Sequence, residues 1–233
     1  SCTNRDPKQE CEAARMMLAY RVECLVCTGA TDPDTIAQMC AESGVQSINL
    51  DLPGSKAPSV ISNNRDGARQ LTHAILNRLA EEKRSDDPVL FIGGRDEDHN
   101  TRERIAGFKQ AREEVGLATA EENILPCDYA ADKAQAALAT YMRNRSTLPS
   151  AMFVNSTISL EGIVRGLQLN GYYLDDIIFG CFDWDPLAAA FHPRLMMVRQ
   201  NVIEMIDRVF ELIDTPPRDS RLLIEVQPEI MGV

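Results

Sequence analysis

No apolar run in the 233-residue chain approaches the ~20 residues of a membrane span. No basic leader runs into an apolar stretch near the start, so neither a transmembrane helix nor a secretory signal is expected. The chain also lacks G-K-[ST], and no G-x-G-x-x-G follows an apolar segment, which leaves nucleotide phosphates without a loop to cradle them. Histidine is scarce: His73 falls in a helical pattern, His99 in an acidic loop and His192 before a proline, with no metal-ligand spacing. Positive charge is short as well, with 24 Lys and Arg against 35 Asp and Glu and a net charge of −11. Arg102, Arg104 and Lys109 stand close together but are offset by Asp96, Glu97, Asp98 and Glu103, so these residues offer no basic footprint for nucleic acid. Ser156, His192 and Asp183 are the raw material of a triad, yet no nucleophile elbow presents the serine. The expectation is a protein without catalytic residues, metal or cofactor.

Seven cysteines are present, an odd number. Cys24 and Cys27 form a C-x-x-C, but residues 22–27 read as a strand, where i and i+3 face opposite ways. No second Cys/His pair follows at zinc spacing. Buried, reduced thiols are the simpler reading, and they suit a cytoplasmic protein.

What the chain does contain is an alternation of short apolar strands with amphipathic helices. Asp6-Pro7 and Asp32-Pro33 each supply an N-cap and a first helical residue. Strands are expected at residues 23–28, 45–50, 89–92, 124–125, 151–154, 177–182, 196–199 and 222–226. Helices are expected from 66, 102, 130, 159 and 202. Such alternation predicts an α/β fold with mostly parallel sheets covered on both faces. Ligands bind at the carboxyl ends of such strands, and polar residues stand there: Asp51, Arg95, Tyr129, Asn155, Asp183 and Gln200. An amide donates and accepts, a carboxylate accepts, and Arg104 adds a guanidinium fork, a set suited to gripping a polyhydroxylated molecule. Trp184 is the only tryptophan.

These segments, taken in order, resemble the effector-binding core of LacI/GalR-family transcriptional regulators. Val45-Gln46-Ser47-Ile48-Asn49-Leu50-Asp51 resembles the family's P-V-V-x-x-D strand. Ser59-Val60-Ile61-Ser62-Asn63-Asn64 with Gly67-Ala68 resembles S-V-x-x-D-N-x-x-G-A. Phe91-Ile92-Gly93-Gly94 and the later Arg104-Ile105-Ala106-Gly107-Phe108 resemble I-x-G and R-x-x-G-F. Phe153-Val154-Asn155, Phe182-Asp183 and Val198-Arg199-Gln200 resemble three further tips, with Ser156 and Cys181 where the family has Asp and Gly.

The resemblance implies a two-lobed, periplasmic-binding-protein-like fold that holds a carbohydrate-like effector between lobes: a sugar, a sugar phosphate or a related metabolite. One lobe would hold 1–62 plus 200–221, the other 63–199 plus 222–233. Arg104, Asn155, Asp183, Gln200, Asp51, Tyr129 and Trp184 become expected effector contacts. Tyr129 stands where relatives offer an aromatic face to a sugar ring, and Trp184 falls at the cleft mouth. Leu160 and Phe191 correspond to the homodimer surface. Operator DNA would be met only through a helix-turn-helix headpiece that these residues do not contain. The first strand–helix unit is also expected to be missing, because the chain enters at what reads as the second strand, Cys2-Thr3-Asn4. Two other readings stay open at this level: a periplasmic sugar-binding protein of a transport system, and an α/β enzyme.

Overall fold

The protein is described by a computed structural model covering residue 3, residues 5–145 and residues 148–232. Cys2 and Asn4 of the expected entry strand lie outside the described residues. In chain order the elements are α1 (Pro7–Ala19), β1 (Cys24–Thr28), α2 (Pro33–Glu42), β2 (Gln46–Leu50), β3 (Ser59–Ser62), α3 (Asn64–Glu81), β4 (Val89–Ile92), α4 (His99–Glu114), β5 (Ile124–Leu125), α5 (Ala131–Arg143), β6 (Ala151–Val154), α6 (Thr157–Leu169), β7 (Ile178–Phe182), α7 (Pro186–Phe191), β8 (Met196–Arg199), α8 (Val202–Asp214), β9 (Leu223–Val226) and β10 (Glu229–Met231). The chain divides into two compact units: residues 1–63 with 201–227, and residues 64–200 with 228–233.

The first unit is built on a parallel sheet in the order β1-β2-β3-β9. Its helices start as the Asp-Pro pairs dictate. Asp6 accepts from the N–H of Lys8 at 2.8 Å, and Asp32 from that of Thr35 at 3.1 Å. Ile48, Leu50 and Val60 pack against Met205, Val209 and Leu212 of α8 on one face. The other face carries Ala14, Ile36 and Cys40 of α1 and α2. Cys27 is held among them as a thiol whose pKa burial pushes up to about 12, so it is an inert apolar filler. Among the described residues no cluster of ligands could hold a metal ion.

The strand at 223–226 corrects an expectation. It pairs in parallel with β3, Ser59 opposite Leu223 through Ser62 opposite Val226, so it belongs to the first unit. Only residues 228–233 return to the second unit, where β10 runs antiparallel to β8.

The second unit has six strands in the order β10-β8-β7-β6-β4-β5. All but β10 run parallel, and β4, β6 and β7 are buried along their whole length. That is why they read as unbroken apolar runs rather than alternating ones. Phe91 stacks on Phe153 at 4.9 Å between centroids, and Phe108 of α4 meets both rings at 5.6 and 5.8 Å. The opposite face is filled by Leu138 of α5 and Ile163 and Leu167 of α6 against Met152, Val154 and Phe179. Because every parallel strand points the same way, the loops after β4, β5, β6, β7 and β8 share one edge.

Candidate functional site

Within the second unit, β4 connects through α4 to β5 on one side, while β6 connects through α6 to β7 on the other. The two connections leave adjacent strands in opposite directions, which makes the carboxyl ends of β4 and β6 a topological switch point. Gly93-Gly94 and Asn155 meet there, buried and packed against each other. Gly94 has φ +81°, and a Cβ there would sit 2.4 Å from Thr101 Oγ1 and 2.6 Å from Asn155 Nδ2, so only glycine fits. Asn155 extends the ladder by one bond, its N–H donating to the Ile92 carbonyl at 2.9 Å. Its carboxamide is 0% exposed, and neither Oδ1 nor Nδ2 has a hydrogen-bond partner. Leaving such a group unpaired in the interior costs about 1–3 kcal/mol.

Arg104 reaches this switch point from α4 and is itself buried, at 3% exposure. Its Nε donates to Asn64 Oδ1 at 2.8 Å and its Nη1 to the Asn155 carbonyl at 2.7 Å. Asn64 is fixed in turn by donating from Nδ2 to Asn100 Oδ1 at 3.1 Å. The guanidinium lies 3.6 Å from the centroid of the Phe182 ring, and its Nη1 is 4.0 Å from Asp183 Oδ2. Its partners are thus Asn64, Asn155 and Asp183 rather than its neighbours in the sequence.

Asp183 follows β7 in the left-handed region, φ +75°, a conformation that aspartate tolerates better than most side chains but at some cost. Gln200, following β8, donates from Nε2 to Asp183 Oδ1 at 2.5 Å. One carboxylate thus links the buried arginine to the neighbouring strand end. Trp184 is part-exposed beside this loop, with Arg199 5.9 Å from its ring centroid and Arg199 paired with Glu229.

The far end of the edge is a second charged knot. Asp128, also left-handed at φ +67°, accepts from Lys133 Nζ at 2.6 Å, from Arg95 Nε at 2.6 Å and from the Tyr129 N–H at 2.8 Å. The Tyr129 hydroxyl lies 3.0 Å from Thr101 Oγ1, so its ring is held half-buried. Lys133 first, and then Arg95, hold the Asp128 carboxyl well below the usual carboxylate range. A depressed folded-state pKa gives stability that is present at neutral pH and is lost as pH falls below about 4, the unfolded value, toward the folded one. Lys133 and Arg95 are substantially exposed, so solvent screening keeps the contribution modest. We therefore expect the melting temperature of the wild-type protein to fall more steeply between about pH 5 and about pH 2 than that of Asp128→Asn. Parallel slopes in thermal melts across that range would count against the clamp.

Five of the seven expected contacts (Arg104, Asn155, Asp183, Gln200 and Tyr129) stand on this one edge, with Trp184 on the loop after Asp183. Asp51 does not: it follows β2 in the first unit, with φ +74° and its N–H donating to the Val60 carbonyl at 3.0 Å. Leu160 is 8% exposed and packs into the core, while Phe191 is 81% exposed; both border a groove between α6 and α7. Sequence reasoning missed the roles of Asn64, Phe182 and Asp128. Asn64 stood in a motif, and Asp128 adjoined Tyr129, but nothing local marks what either touches.

An α/β unit with polar groups converging at its topological switch point is a ligand-binding domain by architecture. Residues 2–182 match the family described as periplasmic binding proteins and sugar binding domain of LacI family, and the chain belongs to that family. The ribitol operon repressor of Klebsiella aerogenes is 50% identical over 95 residues, which are 41% of this chain and 35% of that protein. The HTH-type transcriptional repressor PurR of Vibrio campbellii is 27% identical over 228 residues, 93% of this chain and 65% of that protein. The chain thus spans less than two thirds of the length of either curated relative. Among solved structures, the Cra transcriptional dual regulator of Pseudomonas putida in complex with fructose 1-phosphate superposes with a TM-score of 0.82 at 20% identity, covering 99% of this chain and 85% of that one. At that identity the likeness is one of fold. The curated relatives are repressors by name, not enzymes, and no helix among the described residues is long and apolar enough to cross a membrane.

Proposed function

We propose that this chain is the effector-sensing part of a LacI-type transcriptional regulator, and that it holds a small polyhydroxylated molecule at the carboxyl edge of the second unit's sheet. Asn155 carries the reading. A fully buried carboxamide with both polar atoms unpaired by protein groups is costly until a donor and an acceptor reach it, and a polar guest that displaces water from this edge supplies both. Arg104 and Asp183 flank it with further donors and acceptors. Sugar and polyol hydroxyls have the dual character this set requires. None of these groups is a nucleophile with an adjacent base, so the guest is gripped and released unchanged. Its unequal affinity for two states of the regulator would shift operator affinity.

Operator contact would fall to a basic headpiece outside these residues, because the net charge of −11 repels phosphate. A cytoplasmic site of action follows from this role. A homodimer would use the α6–α7 groove, where Ile158, Leu187 and Phe191 expose apolar surface around Leu160. Sedimentation should then show a dimer that Phe191→Asp dissociates; a wild-type monomer at micromolar concentration would remove that assignment.

The test of the site itself uses Asn155→Leu, a near-isostere without polar atoms. Ligand-free stability should be unchanged or higher by about 1 kcal/mol, since an unsatisfied amide is removed. A thermal-shift screen of sugars and polyols should find a ligand for the wild type, because a bound guest raises the melting point by mass action. That response should be lost in the variant. A variant that binds as tightly as the wild type would end the proposal.

A further inference from the structure

The charges around this edge narrow the guest further. Three cations of this edge, Arg104, Arg95 and Lys133, already face carboxylates of the protein. Arg104 faces Asp183 at 4.0 Å, and Arg95 and Lys133 both close on Asp128 at 2.6 Å. Within the second unit, across the loops that follow β4 to β8, the first turns of α4 to α7, and Arg104, carboxylates outnumber cations seven to four. Two of the helix starts on this edge carry their own caps, Ser156 accepting from the Ser159 N–H on α6 and Asp185 from the Ala188 N–H on α7, while α4 and α5, which have no side-chain cap, bring the carboxylates Asp98 and Asp132 at their starts. A phosphate brought here would meet the Asp183 carboxylate and would have to compete with Asp183 and Asp128 for Arg104, Arg95 and Lys133. A hydroxyl suffers no such conflict, since it donates to Asp183 and accepts from Arg104 at once.

We propose, resting on the effector site argued above, that the guest is an uncharged polyhydroxyl compound, a free sugar or polyol rather than its phosphate ester. The experiment titrates the protein with matched pairs, each an uncharged pentose, hexose or pentitol and its terminal phosphate ester, by calorimetry at low salt. The expected result is that an uncharged member binds and its ester is weaker by about tenfold or more. Asp128→Asn, which releases Arg95 and Lys133, should shrink that gap at least about threefold by freeing positive charge near the edge. An ester that binds as tightly as its parent overturns this inference while leaving the effector site standing. An unchanged gap in Asp128→Asn overturns its electrostatic basis. Binding of neither member of any pair overturns the effector site, and this inference falls with it.

Discussion

Arg104→Ala is expected to cost the folded protein about 3–5 kcal/mol and to abolish effector binding, the largest combined effect of any single change at the site. The guanidinium is the common partner of four groups. Its removal leaves Asn64 Oδ1 and the Asn155 carbonyl without their donor, Asp183 without its counter-charge, and one face of Phe182 bare. Two of these losses, at Asn64 and Asn155, are polar and buried, the situation in which taking away one partner costs more than the bond contributed. Two further variants separate the terms. Arg104→Met keeps the apolar stem over Phe182, so it should recover part of the stability and none of the binding. Arg104→Lys restores charge but not the fork that spans Asn64 and Asn155, and should bind weakly at best. Urea denaturation gives the first quantity and calorimetric titration the second. An alanine variant within about 1 kcal/mol of wild type would mean that water replaces the guanidinium at little cost, and the buried network would lose its claim to shape the site.

The edge on which the site lies is legible in the sequence, because strand tips follow from the period of the strands, and side chains such as Asn155 and Asp183 stand where apolar runs stop. What each tip touches is not legible. The Arg104–Asn64 bond joins residues 40 apart and the Arg104–Asn155 bond residues 51 apart; the first depends on α3 packing beside α4 and the second on α4 reaching the end of β6. The same divide runs through the fold. Asp6-Pro7 and Asp32-Pro33 announce helices, but Asp185-Pro186 announces one as well, and it escapes notice because six residues give no helical period. β3 escapes because it begins and ends in serine; the fold satisfies Ser59 by having Asn49 Nδ2 and the Gly54 N–H donate to its Oγ at 3.1 and 3.2 Å. The strand at 223–226 is visible as a strand, but nothing in its own residues says that its neighbour is β3, more than 160 positions earlier.

Gly162→Ala is the second large effect expected, and it tests the packing that sets the edge. Gly162 on α6 faces the start of α5, and a Cβ there would lie 1.9 Å from the Ala131 carbonyl oxygen and 2.7 Å from its carbon. Both are backbone atoms at a helix end and cannot rotate away, so the two helices must separate. Overpacking of this kind costs about 1–3 kcal/mol and sometimes more, against about 1 kcal/mol returned by alanine's better helix propensity. A net loss of about 2 kcal/mol or more is expected. Lys133 lies two residues beyond Ala131, so a displaced α5 also loosens the Asp128 clamp and with it the seat of Tyr129. Gly166, one turn further along the same helix, is the internal control. Its Cβ would meet the Gln135 side chain at 3.3 Å and Leu138 at 3.5 Å, with the nearest backbone atom, Gln135 Cα, at an ordinary 3.8 Å. Gly166→Ala should therefore be neutral or stabilising by up to about 1 kcal/mol, since Gln135 can swing aside and the helix gains propensity. Equal unfolding free energies for the two variants would show that α5 and α6 do not approach closely at Gly162. The position of the edge would then need a different physical cause.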